Sequence, residues 1–181
     1  VTSLVTHAGS IGRLIGGLPA AQGEAVVLAD IRTTDAPVPV GLCDMSDAVA
    51  LNALVAHRAV SPIVHTAATL STGIRADPVR GVRVNFMGKA NVLDCAPCLF
   101  LGRIVCASST TLGYIGFGQH DATPIEEDLP LRLLSNRPAS VYAMAKIAGA
   151  CFGGGGRRRS ARKEVDFPSD AEVVGGQLFA D

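Results

Sequence analysis

Short runs of β-branched and aliphatic residues alternate along this chain with longer stretches in which apolar side chains recur every three to four positions. That alternation restricts the fold more than any other feature. The runs fall at residues 4–6, 25–29, 38–42, 62–65 and 103–107. Most are continuously apolar, as strands are when helices cover both faces of their sheet. Between them Ile11, Leu14, Ile15 and Leu18 keep helical spacing, as do Val49, Leu51, Leu54 and Val55, with Ser46 as the expected N-cap of the second helix. The longest helix is expected over residues 78–94, with Val82, Phe86, Ala90 and Leu93 on its buried side, and a further helix from about residues 139–142 through Ala150. Strand–helix–strand repetition of this kind predicts an α/β fold with a doubly wound, mostly parallel sheet.

At 181 residues, with 48% hydrophobic and 18% charged side chains, the chain has the size and composition of one folded domain. Sixteen basic residues balance sixteen acidic ones, so no global field draws it to nucleic acid or an anionic membrane. No apolar run reaches the length of a membrane span and the start lacks a signal-peptide pattern, which reads as a cytoplasmic protein with no membrane partner. Val at position 1 points to trimming or a fragment. Cys43, Cys95, Cys98, Cys106 and Cys151 are irregularly spaced and read as reduced core thiols. Cys95 and Cys98 have redox spacing but fall at a helix end, where a thiolate gains nothing from the helix dipole. His7, His57, His65 and His120 show no metal-ligand spacing, and no metal is expected.

The periodic pattern stops near residue 152. One folded domain over 1–152 is therefore expected, followed by a Gly/Arg-rich irregular tail over 153–181 in which only Val173, Val174, Leu178 and Phe179 look able to join a core. Residues 151–181 carry five basic and five acidic side chains. The cluster of Arg157, Arg158, Arg159, Arg162 and Lys163 has no interleaved aromatic, so a solvated linker is expected rather than a nucleic-acid interface.

The chemistry-bearing residues sit at strand ends. Thr6-His7-Ala8-Gly9-Ser10-Ile11-Gly12 stands where the first strand turns into the first helix, the place where backbone N–H groups and a bare glycine can receive a pyrophosphate. The G-x-x-G-x-x-G spacing puts Thr6 in place of the first glycine, and a tight turn with no ligand would look similar. Asp30 follows the second run directly, where a carboxylate accepts the adenosine ribose hydroxyls and repels a 2′-phosphate. NAD is thus favoured over NADP, although Arg32 works the other way and a solvated turn aspartate is the alternative. Tyr142 and Lys146 lie four apart on one helix face, so the ammonium can favour the phenolate; an exposed pair would show the same spacing. Ser108, Ser109, Thr110 and Thr111 follow the fifth run, where a hydroxyl can meet a reacting carbonyl or merely cap a turn.

These motifs, with Cys43-Asp44-Met45-Ser46-Asp47, His65-Thr66-Ala67-Ala68 and Val84-Asn85-Phe86-Met87-Gly88 between them, resemble in order and spacing the NAD-dependent epimerase/dehydratase family, the extended short-chain dehydrogenase/reductases, over about residues 3–151. The resemblance implies a Rossmann-like fold whose C-terminal substrate domain is missing here. It further implies that Asp44 and Met45 flank the adenine, that Ala67 and Ala68 line the cofactor near its nicotinamide half, and that Asn85 supports the site from the long helix. Thr6, Gly9, Ser10, Ile11, Gly12 and Asp30 complete the cofactor set, Ser109, Tyr142 and Lys146 are the implied catalytic residues, and Tyr142 and Lys146 also contact the cofactor. The implied function is oxidation, epimerisation or dehydration of a hydroxyl-bearing, sugar-like or nucleotide-sugar substrate, with a homodimer among the assemblies it admits. The alternative is a truncated or degenerate nucleotide-binding protein without turnover. Two departures bear on this: the glycine turn is one residue shorter than the family's T-G-G-x-G-x-x-G, and Gly113-Tyr114 stands where the family often has Tyr-Gly.

Overall fold

The computed structural model describes residues 1–98, 103–109 and 140–156. Strands β1 (Thr2–Thr6), β2 (Val26–Asp30), β3 (Val40–Leu42), β4 (Val60–His65) and β5 (Ile104–Cys106) form one sheet in the order β3-β2-β1-β4-β5. Every pairing is parallel, so the expected doubly wound architecture is what the chain adopts. The connecting helices are α1 (Ser10–Ala21), α2 (Ala48–His57), α3 (Ser71–Ala76), α4 (Pro78–Val82), α5 (Gly88–Cys98) and α6 (Ser140–Gly156), with a π-helical turn over Arg83–Met87 joining α4 to α5. No described helix is long and apolar enough to cross a membrane.

The pleat sends alternate side chains to opposite faces, and the core divides accordingly. Leu4, Val27 and Ala29 meet Leu51 and Val55 of α2 and Val92 and Cys95 of α5 on one face; Val5, Val26 and Leu28 meet Ile15 of α1 on the other. Pro62 sits in β4, between two partner strands, where its missing N–H would break a ladder. The β1–β4 register shifts between Thr2 and Leu4, which places an extra β4 residue at that point and absorbs the proline as a bulge.

Four local features differ from expectation. The cap of α2 is Asp47, whose side chain accepts the N–H groups of Val49 and Ala50, while Ser46 bonds instead to Asp44 Oδ1 through its N–H and hydroxyl. The buried row of the long helical stretch is Gly81, Asn85, Gly88, Lys89, Val92 and Cys95, and Val82, Phe86, Ala90 and Leu93 are only half-buried. Glycines and polar side chains form that row because Gly81 admits Ile74 and Gly88 admits Met45, contacts that hydropathy does not register. On α1, Ile11, Leu14 and Leu18 are exposed, and the helix rests on the sheet through Gly12, Gly16 and Ile15. Finally, α6 continues through Gly156, beyond Ala150, to which the helix was expected to run. The basic cluster at 157–163, the apolar pairs beyond it, Gly113-Tyr114 and His120 lie outside the described residues.

Candidate functional site

Because all strands run parallel, their carboxyl ends share one edge, and the connections leave β1 toward β2 on one side and β4 on the other. A crevice opens at such a reversal. Thr6, at the end of β1, is fully buried there. Its Oγ1 accepts the N–H groups of Thr66 and Ala67, both at 3.1 Å, and lies 2.9 Å from His65 Nδ1. With both lone pairs so used, the Thr6 hydroxyl proton goes to Nδ1, which makes His65 a neutral acceptor carrying its proton on Nε2. Burial holds the His65 imidazole down at about 3, and the cations of Lys146 and Lys89 add to that. Thr66 in turn donates its hydroxyl to the Thr6 carbonyl. Thr6, which the motif spacing puts in place of the first glycine, therefore ties β1 to the loop after β4 through its side chain.

The residue in the exceptional position is His7. Its φ of 80° lies in the left-handed region that glycine occupies freely and a side chain seldom does. Gly9 then caps α1 without a side-chain bond. At Gly12 a Cβ would collide with the His7 carbonyl, so only glycine lets the chain turn this tightly into the helix. Arg13 braces the turn from inside α1: its Nε donates to the Ala8 carbonyl at 2.7 Å and its Nη2 to the Thr34 hydroxyl.

Asp30, at the end of β2, faces the same turn. Oδ2 accepts the Ala8 N–H at 2.8 Å and lies 2.9 Å from His7 Nδ1, and Oδ1 accepts the Arg32 N–H at 3.2 Å. Burial works to raise this carboxyl, but the backbone donors and the His7 charge outweigh it and hold the group below the usual aspartate value. Beside it opens a cleft of about 530 Å³, of the size that takes a small molecule. Asp30, Asp44, Met45, Ala67 and Ala68 line it, as the sequence led us to expect. His7, Cys43, Thr69, Arg80 and Arg83 line it too and were not anticipated as cofactor contacts. A glycine turn at Gly9 and Gly12, an anionic acceptor at Asp30 and an adjoining cleft together fit the adenosine end of a dinucleotide. Gly9, Ser10, Ile11 and Gly12 form the turn and first helical residues outside that cleft lining. Asn85 does not reach the cleft. It is buried in the π-helical turn, accepts the Thr69 N–H at 2.6 Å and donates to the Thr69 carbonyl at 2.9 Å, and so clamps the loop that carries Ala67 and Ala68.

The second group forms where α6 packs against α5, the π-helical turn and the segment after β5. Lys146 is buried, donates from Nζ to the Ala107 carbonyl at 3.0 Å, and sets Nζ 5.6 Å from the centre of the Tyr142 ring. Burial pushes its amine down to about 8, Lys89 pushes the same way, and Cys106 opposes them. Lys89 is itself buried, its stem packed against Gly149 one turn further along α6. Nothing in the sequence marked Lys89, since a lysine in a helical stretch ordinarily reaches solvent. Ala107 lies two residues before the half-buried Ser109, so Lys146 anchors α6 to the segment that carries the serine. Among the described residues Cys43, Cys106 and Cys151 are free thiols, and Cys151 is exposed.

No curated protein matches the chain. Among solved structures, the UDP-glucose 4-epimerase of Thermus thermophilus, solved with NAD, is similar at 26% identity and a TM-score of 0.74, with 90% of this chain and 53% of that one covered. A short-chain dehydrogenase/reductase superfamily protein from Agrobacterium tumefaciens with bound NAD is similar at 28% identity and a TM-score of 0.76, covering 90% and 47%. An L-threonine dehydrogenase from Clostridium difficile shares the fold at 20% identity and a TM-score of 0.71, covering 87% and 49%. The chain thus spans about half the length of the solved structures it matches. The sequence profile of the NAD dependent epimerase/dehydratase family covers residues 4–151, and with the parallel sheet, the glycine turn and Asp30 at the end of β2 in hand, the chain belongs to that family.

Proposed function

We propose that this chain binds NAD in preference to NADP and forms the nucleotide-binding part of an oxidoreductase or epimerase/dehydratase acting on a hydroxyl-bearing, sugar-like substrate. The observation that carries the reading is Asp30, a carboxylate at the end of β2 that faces both the glycine turn and the cleft. A ribose diol finds an acceptor there, and a 2′-phosphate meets like charge. The NAD bound in the Thermus thermophilus and Agrobacterium tumefaciens structures supports the cofactor, and the UDP-glucose 4-epimerase supports nucleotide sugars as a substrate class. A reducing, cytoplasmic setting belongs to the same reading.

When bound, NAD supplies a hydride acceptor. In the proposed chemistry Tyr142 takes the proton of the substrate hydroxyl, Ser109 donates a hydrogen bond to the oxygen as negative charge develops on it, and Lys146 favours the phenolate electrostatically. The 5.6 Å separation of Nζ from the Tyr142 ring supports the last role. An amine pushed down to about 8 is still mostly cationic at neutral pH, so the charge this role needs is present. A second reading, binding without turnover, is favoured by the side chain of His7 at the turn.

Calorimetry with NAD and NADP tests the cofactor assignment. NAD should bind more tightly, and Asp30→Ala should bring the two affinities together. Equal affinities in the unaltered chain would sink the ribose assignment. An assay of NAD reduction over a panel of nucleotide sugars and polyols, run beside Tyr142→Phe, separates the two readings. A rate that disappears in the variant establishes the catalytic one, and equal background in both establishes binding without turnover.

A further inference from the structure

This fold holds a dinucleotide at two neighbouring places, the carboxylate after β2 and the glycine turn after β1. One side chain covers both. The His7 ring sets Nδ1 2.9 Å from Asp30 Oδ2, and the rest of the imidazole lies against Gly9 so closely that a Cβ there would collide with it. A carboxylate offers about four lone-pair sites. Within the chain His7 Nδ1, Ala8 N–H and Arg32 N–H already occupy three of them. The two hydroxyls of a ribose need two, so the adenosine ribose and the imidazole compete for the same oxygen.

We propose that His7 is an affinity-determining residue of the cofactor site: its ring stands in for the adenosine ribose on Asp30 and covers the bare face of Gly9, and NAD binds by turning it out. The proposal rests on the NAD reading given above. The means of release is present, because the His7 side chain is half exposed while its backbone stays anchored through an N–H donated to the Ala29 carbonyl at 2.6 Å. The ring can therefore rotate toward solvent without moving β1 or the turn. Displacing one hydrogen bond to a charged, partly exposed group reduces apparent affinity by about fivefold or more.

The test is the affinity for NAD, measured by calorimetry on the unaltered chain, His7→Gly and His7→Ala, with thermal melts to establish folding. Both variants should bind NAD at least about fivefold more tightly, His7→Ala included, since it removes the ring but keeps a Cβ at the positive φ. A gain confined to His7→Gly would assign the effect to the backbone and overturn the proposal. Equal affinity in all three would show that the ring does not compete, and weaker binding in both variants would show that it is a ligand of the cofactor; either result also overturns it. If no form binds NAD while all melt cooperatively, the cofactor reading fails, and the proposal with it, in a pattern distinct from the other three.

Discussion

Thr6 shows how much one buried hydroxyl can organise. It closes two N–H groups of the loop after β4 and determines the tautomer of His65, using a proton and both lone pairs within the chain. Thr6→Val keeps the shape of the side chain and removes all three bonds. Stability should fall by about 2 kcal/mol, the cost of leaving partly buried donors without an acceptor. Thr6→Ser, which keeps the hydroxyl, should lose less than half of that in urea unfolding. A valine variant as stable as the parent would mean that water replaces the hydroxyl.

Among the elements, α1 makes the sharpest prediction because two of its glycines differ in what surrounds them. At Gly12 a Cβ meets the backbone carbonyl of His7, whereas at Gly17 it meets only Pro37 Cγ at 3.9 Å, an ordinary contact. Gly12→Ala must push the turn away from the helix. It should cost about 1–3 kcal/mol and weaken NAD binding. Gly17→Ala adds helix propensity with no clash and should stabilise the chain by up to about 1 kcal/mol. Urea midpoints of the two variants check this, and a destabilised Gly17→Ala with a tolerated Gly12→Ala would contradict the geometry of the turn. The π-helical turn between α4 and α5 has a comparable local effect, because it puts Asn85 where both its amide groups reach Thr69.

For the molecule as a whole, the buried titrating groups determine how stability varies with pH. His65 is held near 3 in the fold against an ordinary 6.5, so between those values the unfolded chain binds the extra proton and stability falls as the solution is acidified. Asp30, held below 3.8, adds to the loss at the acid end. Lys146 is held near 8 against 10.5, so the unfolded chain carries more protons in that window and stability rises with pH from about 8. Cys43, raised to about 11 from 9.0, has the opposite sign above pH 9, where the unfolded thiol ionises first. The expected profile climbs from pH 3 to 6.5, is level to 8, rises between 8 and 9, and then flattens as the two groups oppose each other. His65→Asn, whose amide can still accept from Thr6, should flatten the acid limb in denaturant titrations. An acid limb unchanged in that variant would place its origin elsewhere.

What was legible in the sequence was local. Apolar runs of strand length and stretches of helical period lead to five parallel strands, because backbone pattern and side-chain period act within a few residues. Asp30 was legible for the same reason, as the residue that directly follows the second run. The partners of polar side chains were not. Thr6 and His7 are neighbours with opposite fates, one turned into the sheet and one into the cleft, and the difference arises from a positive φ that no propensity encodes for histidine. Asp47 rather than Ser46 caps α2 because Ser46 is taken by Asp44. Lys89 comes near Lys146 only when α5 and α6 pack, and Gly149 at the contact leaves room for its stem. Hydropathy ranks a residue by its own transfer energy, whereas its place in the site depends on which neighbours the tertiary structure leaves room for.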